Sequence, residues 1–284
     1  MQKNDILTES KETQPKERWG SVGEYILYLK QFAAYKFAER FVINKKVLEI
    51  GHGAGYGAEY VSNFASDFVA IDMSKINSSY CQRKYSKENL IFVTADATKL
   101  PFKDNQFGVA ISFQVIEHIE PKFVLTYLAE IKRVLKADGI FICSTPNKKL
   151  RLLPFQKPWN PEHKKEYNRK EFKNLLNKVF GEVKVYGLSA SEEALSIERA
   201  RVKQYPLKVY IISPIYQLIK TILPSDFFVR LKEVGKRSIS PNRSQNPVQQ
   251  EEFLTEFPLD DFEMDPSCPD DCLDLFGLCF KKEM

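Results

Sequence analysis

Lys46-Val47-Leu48-Glu49-Ile50-Gly51-His52-Gly53-Ala54-Gly55-Tyr56-Gly57 is a short apolar run that breaks into alternate glycines. A β-type run that passes at once into a glycine turn and then into a helical pattern, here 57–64, opens a strand–turn–helix unit. The alternation continues outward. β-type runs recur at 67–72, 90–95, 107–113, 139–144 and 182–188, and helical stretches at 75–85, 121–136 and 169–179 lie between most of them. Strands alternating with helices of that length predict an α/β fold, doubly wound around a mainly parallel sheet. Upstream, Ile26, Leu29, Phe32, Ala33, Phe37 and Phe41 recur at helical spacing and predict an amphipathic helix over 25–42.

After Leu188 the rhythm stops. Ser213-Pro214 opens a helix running to Leu223, and Ser225 opens another that Gly235 closes. Residues 236–270 hold little apolar pattern, and the nine acids without a base from Glu251 to Asp271 predict a flexible acidic loop. Cys272 to Phe280 is again β-like and predicts a last, seventh strand rejoining the sheet. The expected plan is a leader and helix over 1–44, a core over 45–189, a helical insertion with the acidic loop over 190–270, and the last core strand over 271–284.

Composition narrows the classes. A chain of 284 residues with 43% hydrophobic and 28% charged residues can bury a sizeable core, which excludes collagen-like and fully disordered readings. A net charge of +5 is too mild to imply nucleic acid. The five cysteines are an odd number, and the first thirty residues lack the apolar stretch of a signal peptide, so reduced thiols and a cytoplasmic location are expected. Cys268, Cys272 and Cys279 have no His nearby and no second Cys-x-x-Cys pair, and no metal is expected there. The apolar stretch 207–223 is interrupted by Lys208, Pro214 and Lys220 and falls short of the ~20 residues of a membrane span.

The glycine turn sits at the carboxyl edge of the sheet, where open α/β folds bind ligands. Counted from Gly51, a dinucleotide fingerprint fails at Tyr56; counted from Gly53, it is met in relaxed form by Gly53, Gly55 and Ala58, so a nicotinamide cofactor stays open on glycines alone. The acids argue otherwise. Glu49 would repel a pyrophosphate and suits a cation. Asp72 closes the second strand, where a carboxylate accepts ribose hydroxyls, and Asp96 closes the third, where it accepts from an exocyclic amine. Singly, each reads as a helix cap or a solvated strand end; together they describe a positively charged, phosphate-free nucleoside.

The stretches 47–55, 70–74, 95–102, 107–112 with Val115-Ile116-Glu117-His118, and 133–139 resemble, in order and spacing, the class I (seven-stranded, Rossmann-like) S-adenosylmethionine-dependent methyltransferases, and within them the type 11 group. The resemblance covers 45–147, more loosely 158–188 and 271–282, and leaves out 190–270. It implies S-adenosylmethionine as cofactor. It also implies that Glu49, Gly51, Gly53 and Gly55 line the methionine and sulfonium portion, that Asp72 and Met73 hold the ribose and flank adenine, that Asp96 with Ala97 meets adenine, and that Gln114 lies beside the methionine moiety. His52 departs from the Cys or Ala more usual there.

Methyl transfer to a hydroxyl gains from a base of near-neutral pKa, and histidine is the usual candidate. A doubly wound sheet would put His52, His118 and His163 along one edge. Asn160-Pro161-Glu162-His163-Lys164-Lys165-Glu166-Tyr167 resembles the Asn-Pro-x-His-x-x-x-Tyr stretch of the type 11 group, and His163 and Tyr167 share a face if that stretch is helical. His163, Tyr167 and His118 are therefore the candidate catalytic residues; for His163 the alternative is a pocket-wall hydrogen bond, and for His118 a helix cap. Glu117-His118 alone is too thin a ligand set for a metal.

From Lys148 to Lys184 eleven Lys/Arg face four Glu, which favours an anionic substrate or a membrane surface. The expected function is methyl transfer, at oxygen, to a small-molecule, glycan or lipid-linked acceptor. An RNA or protein methyltransferase, a nicotinamide-dependent oxidoreductase and an inactive cofactor-binding regulator are the alternatives. The amphipathic pair within 207–236 suits a lid, a homodimer contact or peripheral contact with an anionic membrane; nucleic acid is not expected as a partner.

Overall fold

A computed structural model of the chain describes residues 22–153, 156–158, 160–203 and 258–282. Helix α1 (Val22–Val42) buries Ile26, Leu29, Ala33, Ala34, Phe37 and Ala38, the helical spacing read from the sequence. It is followed by β1 (Lys46–Ile50), α2 (Tyr56–Val61), β2 (Asp67–Asp72), α3 (Lys75–Lys84), β3 (Leu90–Thr94), β4 (Phe107–Phe113), α4 (Val124–Val134) and β5 (Leu135–Pro146). Then come α5 (Lys148–Arg151), α6 (Arg169–Leu176), β6 (Glu182–Ser189), α7 (Glu192–Lys203), β7 (Glu263–Asp265) and β8 (Asp274–Phe280).

The strands form one sheet in the order β3-β2-β1-β4-β5-β8-β6-β7. The pairs from β3 to β5 are parallel, and β8 enters antiparallel between β5 and β6. Strand residues alternate between two cores. Val47, Val109, Ile111 and Phe276 face the layer holding α1, α2 and α7, while Leu48, Ala110, Leu275 and Cys279 face the layer holding α4 and α6. Sheet-covering helices on both faces are what near-continuous apolar strands require. The doubly wound α/β expectation is met.

Two details go beyond the sequence reading. Among the described residues the sheet has eight strands, because β7 pairs with the end of β6 through Gly187↔Asp265, Leu188↔Met264 and Ser189↔Glu263. This corrects the flexible-loop reading of 236–270 over its last part: backbone hydrogen bonds hold a three-residue edge strand, and Phe262 and Met264 pack against the core there. The second detail is α7, which packs Ala194 and Leu195 against the α1 layer from an otherwise charged sequence. The expected helices at 213–223 and 225–235, and the leader before α1, lie outside the described residues.

One buried ion pair ties the outer layer to the last strand. Lys30 on α1 and Asp274 on β8 meet at 3.0 Å with both side chains almost fully covered. A buried charge left without its partner costs several kcal/mol, so this contact fixes the placement of α1 over β8. No described helix is long and apolar enough to cross a membrane.

Candidate active site

At the carboxyl ends of β1, β2 and β4 the chain encloses a cavity of about 400 Å³. Helix α1 contributes Gln31 and Tyr35, the glycine turn Gly51 to Gly53, and α2 Tyr56; Asp72, Met73 and Asn77 follow β2, and Ala95 and Ala97 follow β3. The rest of the lining comes from the end of β4 and the segment after it, with Phe113, Gln114, Val115, His118 and Ile119, and from Glu162.

The turn after β1 is held from both sides. Gly51 has φ +81°, and its amide donates to the carbonyl of Ile71 at 2.7 Å. A Cβ there would come within 2.4 Å of Val115 Cγ2, so the position excludes a side chain both by conformation and by space. The amides of Gly53 and Ser74 donate to the two oxygens of Asp72 at 3.1 and 2.8 Å. That carboxylate thus clamps the turn to the start of α3 and keeps further lone pairs for a ligand in the cavity. Below the turn, Tyr127 donates to Ser112 at 2.8 Å and Ser112 donates to the carbonyl of Ile50 at 3.1 Å, which locks the end of β1 onto β4. Gln114 is held at φ +57°, an uncommon conformation for a non-glycine, by its amide to the Ser144 carbonyl and its Nε2 to Ser144 Oγ.

The other sequence-predicted residues take distinct places. Glu49 lies behind the cavity wall, fully buried; its Oε1 accepts from Tyr35 at 2.7 Å and its Oε2 has no hydrogen-bond partner. Burial pushes this carboxyl up to about 7, with the Tyr35 hydrogen bond pulling down and the charge of Asp72 adding to the rise. Gly55 caps α2 without lining the cavity. Asp96 is exposed, and its Oδ1 accepts the amide and hydroxyl of Thr98 at 2.7 Å each, which holds its pKa below the ordinary value. It caps its turn beside the cavity, whereas Ala97 lines it. Met73 lines the cavity while 83% exposed. His52 is buried between the Gly53 carbonyl and Ser78 Oγ at 3.1 and 3.2 Å, and burial lowers its pKa.

Two of the acceptor-side candidates, His118 and His163, are brought together. The rings of His118 and His163 lie 4.7 Å apart at 83°. His163 Nδ1 donates to Glu166 Oε1 at 2.8 Å, and Arg151 sits 3.5 Å from the other oxygen of that carboxylate. Neighbouring Glu117 is fully buried, accepts from Thr145 at 3.1 Å, and is pushed up to about 8 by burial. Only His118 of these reaches the cavity lining. Tyr167 corrects an expectation. The stretch 160–168 is not helical; Tyr167 bridges to Asn147 as an extended residue and packs into the α4–α6 core, so it does not share a helical face with His163.

Several lining residues escaped the sequence reading. Gln31 and Tyr35 were available as an i, i+4 pair of polar groups on the apolar face of α1, a signal that marks a helix lending its face to a site. Phe113 and Val115 stand out only as the end of a β-type run and the start of the motif after it, and Ile119 carries no signal.

The cavity fits a cationic nucleoside. The Cβ-free turn at Gly51 supplies close approach and the Asp72 carboxylate negative charge, the buried carboxyl of Glu49 with one orphaned oxygen lies behind the wall, and the described lining holds no Lys or Arg for phosphates. Residues 48–143 match the family described as "Methyltransferase domain". A "Probable phthiotriol/phenolphthiotriol dimycocerosates methyltransferase 2" of Mycobacterium ulcerans is 35% identical over 99 residues, 34% of this chain and 38% of that protein. A "Fatty-acid O-methyltransferase" of Mycolicibacterium smegmatis is 33% identical over 107 residues, 37% of this chain and 38% of that protein. These matches span well under half the length of either relative. Among solved structures, that of the [4+2]-cyclase SpnF aligns with a TM-score of 0.52 at 16% identity, covering 89% of this chain and 81% of that chain, a likeness of fold alone. By sequence match, sheet order and the turn that shapes its cavity, the segment 48–143 belongs to the class I S-adenosylmethionine-dependent methyltransferases of the type 11 group.

Proposed function

We propose that the protein transfers a methyl group from S-adenosylmethionine to an oxygen of a lipid-linked or other small-molecule acceptor. The observation that carries the reading is a cavity lined both by the Gly51–Gly53 turn with Asp72 and by His118 with Ile119. When bound, the cofactor supplies an electrophilic methyl on a sulfonium. The chain's own task is alignment and the exclusion of water. Asp72 would accept the ribose diol, the Gly51–Gly53 backbone would lie along the methionine portion, and Tyr35, Tyr56 and Phe113 would wall the reacting atoms from solvent. At the acceptor end, His163 is fixed by Glu166, and His118 faces the cavity where a hydroxyl would lose its proton.

A lipid acceptor is favoured by the lipid substrates for which the two relatives are named and by the apolar lining. The basic stretch 148–184 lends less to an RNA substrate than its charge suggests. Lys148, Lys164 and Lys184 pair with Glu171, Glu120 and Glu182, and Arg151 turns inward to Glu166.

Calorimetric titration with S-adenosylhomocysteine and, separately, NAD tests the cofactor. Saturable binding of the first alone is expected, and the reverse preference would overturn the reading. Incubation with methyl-labelled cofactor and separate lipid and aqueous fractions of a cell extract tests the acceptor. Label in the lipid fraction is expected; label confined to RNA or protein would move the acceptor class, and no transfer at all with intact cofactor binding would leave a regulatory binding protein.

A further inference from the structure

Where His118 lines the cavity, two potential ligands adjacent in sequence meet a third from a distant segment. Glu117, His118 and His163 each present one donor atom, and these atoms all lie within 4.8 Å of one another. The convergence is held by the backbone: the carbonyl of Glu117 accepts the amides of Lys164 and Lys165 at 2.7 and 3.2 Å, so the segment carrying His163 is tied to the residue it faces.

Two features of the cluster point to a ligand beyond hydrogen bonding. The first is Glu117. It is fully buried, and while Oε2 accepts from Thr145, Oε1 has no hydrogen-bond partner. An orphaned carboxyl oxygen away from water is uncommon and unfavourable, and a cation within reach satisfies it. The second is the pairing of His163 with Glu166. With Nδ1 donating to a carboxylate, Nε2 carries the free lone pair, and its direction is fixed. A carboxylate behind a histidine is the usual outer support of a metal-ligating imidazole, since it sets the tautomer and raises the basicity of the outward nitrogen. Arg151 in turn holds Glu166 from the other side.

We propose that Glu117, His118 and His163 form a site for one divalent first-row transition cation, open toward the cavity through His118. Two imidazoles and one carboxylate suit zinc, cobalt, manganese or iron better than the all-oxygen-seeking magnesium and calcium. Three protein ligands leave coordination positions unfilled, the pattern of a catalytic rather than a structural centre. Donors around such an ion sit about 3.4 Å apart for bonds of ~2.1 Å, so small side-chain rotations close the cluster. Resting on the methyltransferase reading, the unfilled position would take the acceptor's hydroxyl oxygen and make it more acidic, so that its proton passes to water ahead of methyl transfer while His118 and His163 act as ligands and not as bases. The expectation from sequence that Glu117 and His118 are too few for a metal is thereby revised, because the fold supplies the third ligand.

The test uses the full chain, free of any histidine tag and stripped with a chelator. Titration with Co2+, followed by its visible absorption, is expected to saturate at one equivalent; added Zn2+ displaces it and Mg2+ does not. His118→Ala and His163→Ala each weaken Co2+ binding at least tenfold, and Glu166→Gln, which alters only the outer support, weakens it by roughly 10–100-fold. His118→Ala lies at the cavity surface and serves even if replacements of the buried groups fail to fold, which circular dichroism decides. Absence of saturable binding to the parent chain, or binding unchanged in the His118 and His163 variants, overturns the proposal and leaves a hydrogen-bonded histidine pair. Parallel titration with S-adenosylhomocysteine separates the two readings: cofactor binding without metal binding sinks the cation site alone, and metal binding without cofactor binding sinks the methyltransferase reading alone.

Discussion

The phenol of Tyr35 on α1 donates a 2.7 Å hydrogen bond to Oε1 of Glu49 on β1, inside the core and directly behind the cavity wall. The contact joins the helix outside the matched domain to the strand that opens it. Replacing Tyr35 by Phe leaves both oxygens of a buried carboxyl without a donor. The expected cost is about 1–3 kcal/mol of stability, measured as a shift in urea midpoint at unchanged slope. A midpoint equal to that of the parent would mean that Glu49 finds another donor.

The same carboxyl makes stability depend on pH. Folded, Glu49 keeps its proton up to about 7; unfolded, it releases it near the ordinary carboxyl value of 4.5. Between those values unfolding releases a proton, so stability falls as pH rises and levels off above about 7. The groups facing it are Tyr35 from α1, Tyr56 from α2, Cys81 from α3 and Asp72 from β2. The two phenols and the thiol, all pushed upward by burial, stay neutral throughout this window. Glu49→Gln is expected to lose up to ~3 kcal/mol less stability than the parent between pH 5 and 8. Glu117 contributes in the same direction in both proteins, so the difference between them reports Glu49. Parallel pH profiles would show that Glu49 is ionised in the fold.

Asp72→Ala removes the carboxylate that spans Gly53 and Ser74 and faces the cavity. Affinity for S-adenosylhomocysteine is expected to fall by ~1.5–3 kcal/mol, roughly ten- to a hundredfold, as for charged hydrogen bonds. Calorimetry checks it, and an unchanged affinity with an intact fold would place the ribose elsewhere.

Gly51→Ala is expected to destabilise the chain and block the cavity together. Its φ of +81° costs an L-residue roughly 1–2 kcal/mol, and the new methyl meets the stiff, β-branched Val115. Val115→Ala in the same background is expected to restore space but not conformation, recovering part of the cofactor affinity. Full recovery of stability in the double variant would contradict the strain.

The part of the fold legible in the sequence was the part with a strong period. The runs that became β1 to β6 and β8 carry apolar residues on both faces, and the helices between them carry one clear stripe. β7 was not legible, since Glu263-Met264-Asp265 has no pattern and exists through backbone pairing with β6. Nor was α7, whose short apolar stripe of Ala194, Leu195 and Ile197 lies among charges. In the site, Gly51, Gly53 and Asp72 were readable because strand ends and glycine turns have fixed positions in a wound sheet. The roles of Tyr35 and Glu166 were not, because each depends on a partner that tertiary packing brings close. The convergence of His118 and His163 was half visible, as three histidines on one edge, but the spacing of their rings belongs to the tie between Glu117 and Lys164.

The place of β8 has a bearing on how the chain reaches its fold during synthesis. Both neighbours of β6 in the sheet, β8 and β7, follow it in the chain, the nearer in sequence beginning only at Glu263. Among the described residues, a strand finished at Ser189 therefore has no partner on either side until about 75 further residues have emerged, an interval of roughly 4–15 seconds at ribosomal rates. For that time its unpaired backbone and its apolar side chains, Val183 and Val185 on one face and Leu188 on the other, stay open to association with other chains. Helix α6 and the β4–β5 half of the sheet are by then complete, so the nascent protein holds a slot one strand wide whose filling is the closing step of assembly.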